Sequence, residues 1–230
     1  MRPCIVALIV TALVAGTSLP AAAQNTNFQT TFQLRYWGSG LAFGNPAPPT
    51  ATDSGSGWGA TLRLDSRNSP WGFSARYDSL SITPTNWVWN GATLYDANVH
   101  YRFGPSLNQY LGIFAGYGYV SPADTTGLAV NIGSASGLRY GVEFLVRQPS
   151  GLYLTGDVAF GSWSTVGGAG WGPSSVTDYR AAIGYDFQGG WGLEAGYRFV
   201  SWRVGAGGGC GGVGCEWQFS GLTAALTFRR

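Results

Sequence analysis

From about residue 30 onward, apolar or aromatic side chains take every second position over stretches of roughly ten residues, and charged, polar or small ones fill the places between. A period of two is the mark of a β-strand with two unlike faces. Ten stretches read this way: 30–39, 57–66, 71–80, 93–103, 110–120, 137–147, 152–161, 177–187, 191–202 and 216–228. The row Tyr95, Ala97, Val99, Tyr101, Phe103 shows the pattern, as does Leu138, Tyr140, Val142, Phe144, Val146. Only the last stretch slips phase, between Phe219 and Leu222, which predicts a bulge near Gly221.

The connections alternate in length. Short turns stand at 67–70, 104–109, 148–150 and 188–190, rich in Gly, Asn, Pro and Ser, while longer loops fall at about 40–56, 81–92, 121–136, 162–176 and 203–215. Short turns at one end and long loops at the other describe up-and-down antiparallel strands. An even strand count then places both ends of the chain on the short-turn side.

The charges are sorted by face. The chain has 13 basic and 11 acidic residues, 24 in all, and sixteen of them fall within the first nine strands. These are Arg35, Arg63, Asp65, Arg76, Asp78, Asp96, Arg102, Arg139, Glu143, Arg147, Asp157, Asp178, Arg180, Asp186, Glu194 and Arg198, and each has the parity opposite to its strand's apolar row. One face therefore carries all of them, eight of each sign. A soluble barrel or sandwich would put the apolar row inside and the charges in water. A membrane barrel would do the reverse.

Composition separates the two. Charged residues make up 10% of the chain and every basic residue is Arg, whereas a soluble surface normally carries Lys. Aromatics reach 15%, clustered near the ends of the apolar rows, and the charged rows are otherwise built of Gly, Ala, Ser and Thr, as suits a narrow interior. A net charge of +2 without a basic cluster argues against a nucleic-acid partner. After Gln24 no apolar run approaches the roughly 20 residues a spanning helix needs.

Over residues 30–228 this pattern resembles bacterial outer-membrane β-barrel proteins, the class that includes small porin-like and opacity-type barrels. The resemblance implies a closed antiparallel up-and-down transmembrane β-barrel of ten strands, with eight or twelve as the alternatives. It further implies short periplasmic turns, longer extracellular loops, and as partners the outer-membrane lipid, lipopolysaccharide and the barrel assembly machinery. Such barrels usually finish on an aromatic residue that this machinery reads, and here Phe228 precedes Arg229 and Arg230. At the other end Met1-Arg2, the apolar run to Leu19 and the Ala21-Ala22-Ala23 site read as a signal peptide over 1–23, leaving one barrel domain over 24–230 in the outer membrane.

A ten-stranded lumen lies near the size that side chains fill. Arg keeps its charge when buried and pairs with carboxylates in bidentate fashion, so the expectation is a plug of such pairs, with Arg63/Asp65, Arg76/Asp78, Asp178/Arg180 and Glu194/Arg198 as members and further partners across strands. His100, the sole histidine, shares its row with Asp96, Asn98 and Arg102 and is read as part of that network. One His among scattered carboxylates offers no metal site, and no cofactor is expected. Cys210 and Cys215 stand in a Gly-rich loop of an exported chain, which predicts a disulfide. Trp87, Trp89, Trp163 and Trp171 are placed in the long loops, where aromatic faces could bind glycan or lipopolysaccharide. The expected function is structural or narrowly porin-like and not enzymatic. An adhesin acting through the Trp loops and a hydrolase using His100 are the alternatives.

Overall fold

The computed structural model describes residues 27–44, 51–83, 91–104, 106–122, 134–166, 174–205 and 214–230. The proposed signal segment, Cys210, Trp87, Trp89 and Trp171 lie outside them, as does the side chain of Cys215. Ten strands form: β1 (Phe28–Gly44), β2 (Ala51–Ser66), β3 (Trp71–Thr83), β4 (Gly91–Phe103), β5 (Gln109–Pro122), β6 (Ser134–Arg147), β7 (Leu152–Val166), β8 (Ser174–Asp186), β9 (Trp191–Val204) and β10 (Cys215–Arg229). Each pairs antiparallel with its neighbours in sequence, and β1 pairs with β10, so the sheet closes on itself. The turn between β8 and β9 uses Gly189 and Gly190 at φ of 86° and 85°, the left-handed region where a side chain is strained.

The ladders of β10 run without interruption, from Cys215 opposite Val204 to Phe228 opposite Trp191 on one side and from Thr31 opposite Arg229 to Gly44 opposite Glu216 on the other. There is no bulge at Gly221. The apparent slip has another cause: Trp217 and Phe219 point into the barrel, 5% and 2% exposed, whereas Leu222 points outward at 73%.

That reversal is general. Around the lower and middle barrel the outer face is apolar, with Leu62, Phe73, Val99, Ile113, Val142, Leu154, Ile183 and Leu193 all exposed. Aromatic pairs stud this belt, among them Tyr36 with Trp58 at 5.0 Å between ring centroids and Tyr179 stacked on Phe199 at 5.1 Å. Toward the long-loop end the wall turns inside out. Ser54, Ser81, Ser162, Ser164 and Ser175 are exposed, while the alternate positions Leu80, Trp163 and Val176 are buried within. Tyr117 and Tyr119 join the two zones through hydroxyl contacts with Ser136 (2.7 Å) and Ser134 (2.8 Å). On the same rim Glu216 accepts from Ser201 Oγ (2.6 Å) and Gln218 Nε2 (2.9 Å) and faces Arg203 Nε at 2.9 Å.

The inversion explains why the strands outrun their sequence signal. A strand reads as ending where its apolar row stops, but the ladder continues with polarity exchanged between faces. Intervals expected over 40–56, 81–92, 121–136, 162–176 and 203–215 shrink to 45–50, 84–90, 123–133, 167–173 and 205–214. Trp163 is the consequence for function: it sits in β7, 5% exposed, and its Nε1 donates to the Leu138 carbonyl at 3.2 Å, so it is a core residue and no part of a binding loop. Gly118 and Gly161 make room for its indole, since a Cβ at either position would lie 2.4 Å from it.

Candidate functional site

The lumen has two storeys. The long-loop half is filled by an apolar cluster of, among the described residues, thirteen buried side chains, including Trp37, Trp163, Trp202, Trp217 and Phe219. Most of these come from inward positions of strands whose lower inward positions are charged, and sequence reasoning missed them because the rows it followed set apolar residues outside and charged, polar or small ones inside. Parity alone would have exposed Trp37, two residues from Arg35 on one face.

Below lies the charge network. Arg198, fully buried, donates Nε and Nη2 to the two oxygens of Asp178 at 3.0 Å each and Nη1 to Asp78 at 2.6 Å. Asp78 also accepts from Arg35 Nη2 (2.9 Å), and Asp178 from Arg76 Nη2 (2.6 Å) and Arg139 Nη2 (3.0 Å). Arg76 Nε and Arg139 Nη1 reach Asp96 at 2.6 and 2.9 Å. The chain thus crosses β1, β3, β4, β6, β8 and β9. Arg198 lies 4.7 Å from the Trp37 ring centroid, which ties the charged storey to the apolar one.

Nearer the short turns Arg63 grips Glu143 with Nη1 and Nη2 at 2.7 and 2.8 Å and donates Nε to Asp65 at 2.8 Å. Arg102 meets Asp65 at 3.0 Å and caps the Ser66 and Ser69 carbonyls at 2.6 and 2.7 Å. Arg180 bonds Asp157 at 2.9 Å, with Glu194 at 3.8 Å, and Glu194 accepts from Gln33 at 3.1 Å. Asp186 holds both Arg147, at 2.8 Å, and Arg229, a residue outside the sixteen.

All sixteen strand charges therefore face inward, but the pairing is chiefly across strands. Of the four same-strand pairs, Arg63/Asp65 forms, and Arg76 stands 3.6 Å from Asp78 as a lesser partner. Asp178 and Arg180 instead take separate partners, as do Glu194 and Arg198. The reason is geometric: residues two or four apart on one strand project side by side into the lumen, while the Arg fork more often reaches across the gap to a carboxylate of another strand.

His100, 4% exposed, has Nε2 2.7 Å from Ser74 Oγ and Nδ1 3.1 Å from Glu143 Oε2, the latter an oblique approach. Ser74 stands on the next strand, so only strand register could have revealed it: Ser74 pairs with Asn98, and Gly72 with His100. A cavity of about 120 Å³ remains beside these residues and extends to Leu107, Arg147 and Arg229 at the short-turn end.

Neither a protein-family model nor a curated protein sequence matches the chain. Among solved structures it is similar to the outer membrane protease OmpT from Escherichia coli, at 9% identity over 89% of this chain and 97% of that one, with a TM-score of 0.49. It is also similar to the translocator domain of autotransporter NalP from Neisseria meningitidis, at 14% identity, 100% and 96% coverage and a TM-score of 0.42. Neisserial surface protein A (NspA) follows with 12% identity, 88% and 97% coverage and a TM-score of 0.36. The similarity is one of barrel architecture.

Proposed function

We propose that this protein is an integral outer-membrane barrel that forms a closed, non-conducting unit of the membrane. The observation that carries the reading is the doubly filled lumen: among the described residues an apolar cluster is stacked on a paired Arg and carboxylate network, with a cavity of about 120 Å³ beside the latter. Hydrated solutes passing the lower storey would have to break buried charge pairs, and the upper storey meets them with chiefly apolar side chains.

The outer belt supports the membrane assignment. A closed ring of exposed Leu, Val, Ile, Phe and Tyr is an aggregation hazard in water and a match for hydrocarbon. On β6 it runs from Leu138 to Val146, nine residues, against the roughly 9–11 that a tilted strand needs to cross. The serine rim with Arg203 and Glu216 then stands above the bilayer among lipopolysaccharide head groups, and the aromatic pairs act as the girdle. The N-terminal segment serves as export signal in this reading.

Planar-bilayer recording of the purified barrel tests the closed lumen. The expected trace is silent at moderate voltage. Reproducible, long-lived conductance steps would overturn the proposal and restore the porin-like alternative.

A further inference from the structure

The charge network needs an arginine at Glu143, and Arg63 supplies one; it has no need of Ser74. Yet Ser74 Oγ sits 2.7 Å from His100 Nε2, and His100 Nδ1 sits 3.1 Å from a carboxylate oxygen of Glu143. An ionised carboxylate only accepts, so it draws the ring proton to Nδ1 and leaves the Nε2 lone pair facing the Ser74 hydroxyl, which donates to it. Hydroxyl, imidazole and carboxylate in that order make serine a nucleophile.

The strands fix the order. Ser74 and His100 are diagonal neighbours on β3 and β4, and Glu143 comes from β6. Arg63, which clamps Glu143 through both terminal nitrogens, is also the direct cross-strand partner of Ser74. A fixed cation thus stands beside the place where negative charge would develop on an attacked carbonyl oxygen. The adjoining cavity of about 120 Å³ contacts Ser74, His100 and Glu143. Its small size favours a short acyl group over a long chain.

We propose that Ser74, His100 and Glu143 form a hydrolytic centre for carboxylic esters of short acyl chains, reached from the short-turn mouth. Ser74 Oγ bonds to the ester carbonyl carbon as its proton passes to His100 Nε2. The bond from carbon to the alcohol oxygen then breaks, and the alcohol leaves with that proton. Water adds to the acyl-serine carbonyl and gives a proton to His100. The carbon–Oγ bond breaks, Ser74 recovers the proton and the carboxylic acid departs. Arg63, opposite Ser74 and clamped to Glu143, contributes its positive charge to the site throughout, while Glu143 is a positioning residue beside the ring. This centre goes beyond the closed-barrel reading and is independent of conduction.

The test uses the full chain folded in detergent, with methanesulfonyl fluoride as a small serine-directed probe and 4-nitrophenyl acetate as substrate. One sulfonyl adduct per chain is expected, mapped by mass spectrometry to Ser74, with parallel loss of acetate release. His100→Gln should slow both by about 100-fold or more. Glu143→Gln should slow them too, and Glu143→Asp should recover part of the rate, all at unchanged heat-modifiable migration on gels. Should the His100 variant fail to fold, Ser74→Ala, which removes one hydroxyl, decides the matter by abolishing hydrolysis. Equal hydrolysis by Ser74→Ala and the parent, or a folded barrel whose Ser74 stays unmodified, would overturn the assignment.

Discussion

Replacing Asp178 with Ala removes a carboxylate that receives four hydrogen bonds from Arg76, Arg139 and Arg198, at 2.6 to 3.0 Å. Three guanidinium groups then share a buried space with too few acceptors; Arg198 is wholly inaccessible and Arg139 5% exposed. Breaking one partner out of a buried ionic cluster destabilises by about 3–5 kcal/mol, because the remaining charge stays desolvated. In a chain of this size each kcal/mol lowers the melting temperature by about 2–4 °C, so a fall of roughly 6–20 °C is expected. Asp157→Ala provides the contrast, since Asp157 bonds only Arg180 and its side chain is 12% exposed. There the loss should be about 1.5–3 kcal/mol, the value of one charged hydrogen bond. The assay is heat-modifiable gel migration against temperature in detergent, with tryptophan emission as a second probe. Adding Arg198→Met to Asp178→Ala should return more than half of the lost stability, because it deletes a guanidinium that has lost two of its three hydrogen bonds, while Asp78 keeps Arg35 as partner. A Asp178→Ala variant no weaker than Asp157→Ala, or a double variant weaker than the single one, would refute the claim that the network is held by mutual compensation.

Two further outcomes follow from the walls. Val142→Arg, in the middle of the outer belt, should weaken insertion into lipid vesicles by about 2–4 kcal/mol, whereas Ser175→Arg on the polar rim should stay within about 0.5 kcal/mol; equal effects would misplace the boundary. Gly118→Ala sets a methyl 2.4 Å from the Trp163 ring and should destabilise by about 1–3 kcal/mol, an effect expected to vanish in a Trp163→Ala background when the two are compared by thermal unfolding.

Period-two alternation carried the strand count and the closure in the sequence, because the apolar belt and the charged lumen put opposite chemistry on the two faces of each strand. The inward direction of Arg35, Asp78, Asp178 and Arg198 was legible for the same reason. Their partners were not: Arg198 with Asp78 joins residues 120 positions apart, and nothing local records which carboxylate a guanidinium will find across a lumen. The upper storey was hidden by its resemblance to the lower one. Trp217 and Phe219 look like lipid-facing residues out of phase, and only the unbroken register of β10 shows them to be core. Ser74 was invisible for a third reason, since it reaches His100 along a strand-to-strand diagonal rather than along the chain.

The seam between β1 and β10 governs how the molecule comes apart as well as how it is built. Thr31 and Arg229, nearly the whole chain apart, are opposite one another in a ladder that must form before any edge disappears. In the proposed membrane setting, until it forms, two rows of backbone donors and acceptors face hydrocarbon, where each unmet group is costly. Once it forms, there is no free end to fray, and no strand can leave without parting from two neighbours together. Loss of the fold then has to proceed through a rupture of long stretches at once, so persistence in the membrane is set by a barrier to opening more than by the depth of the folded well.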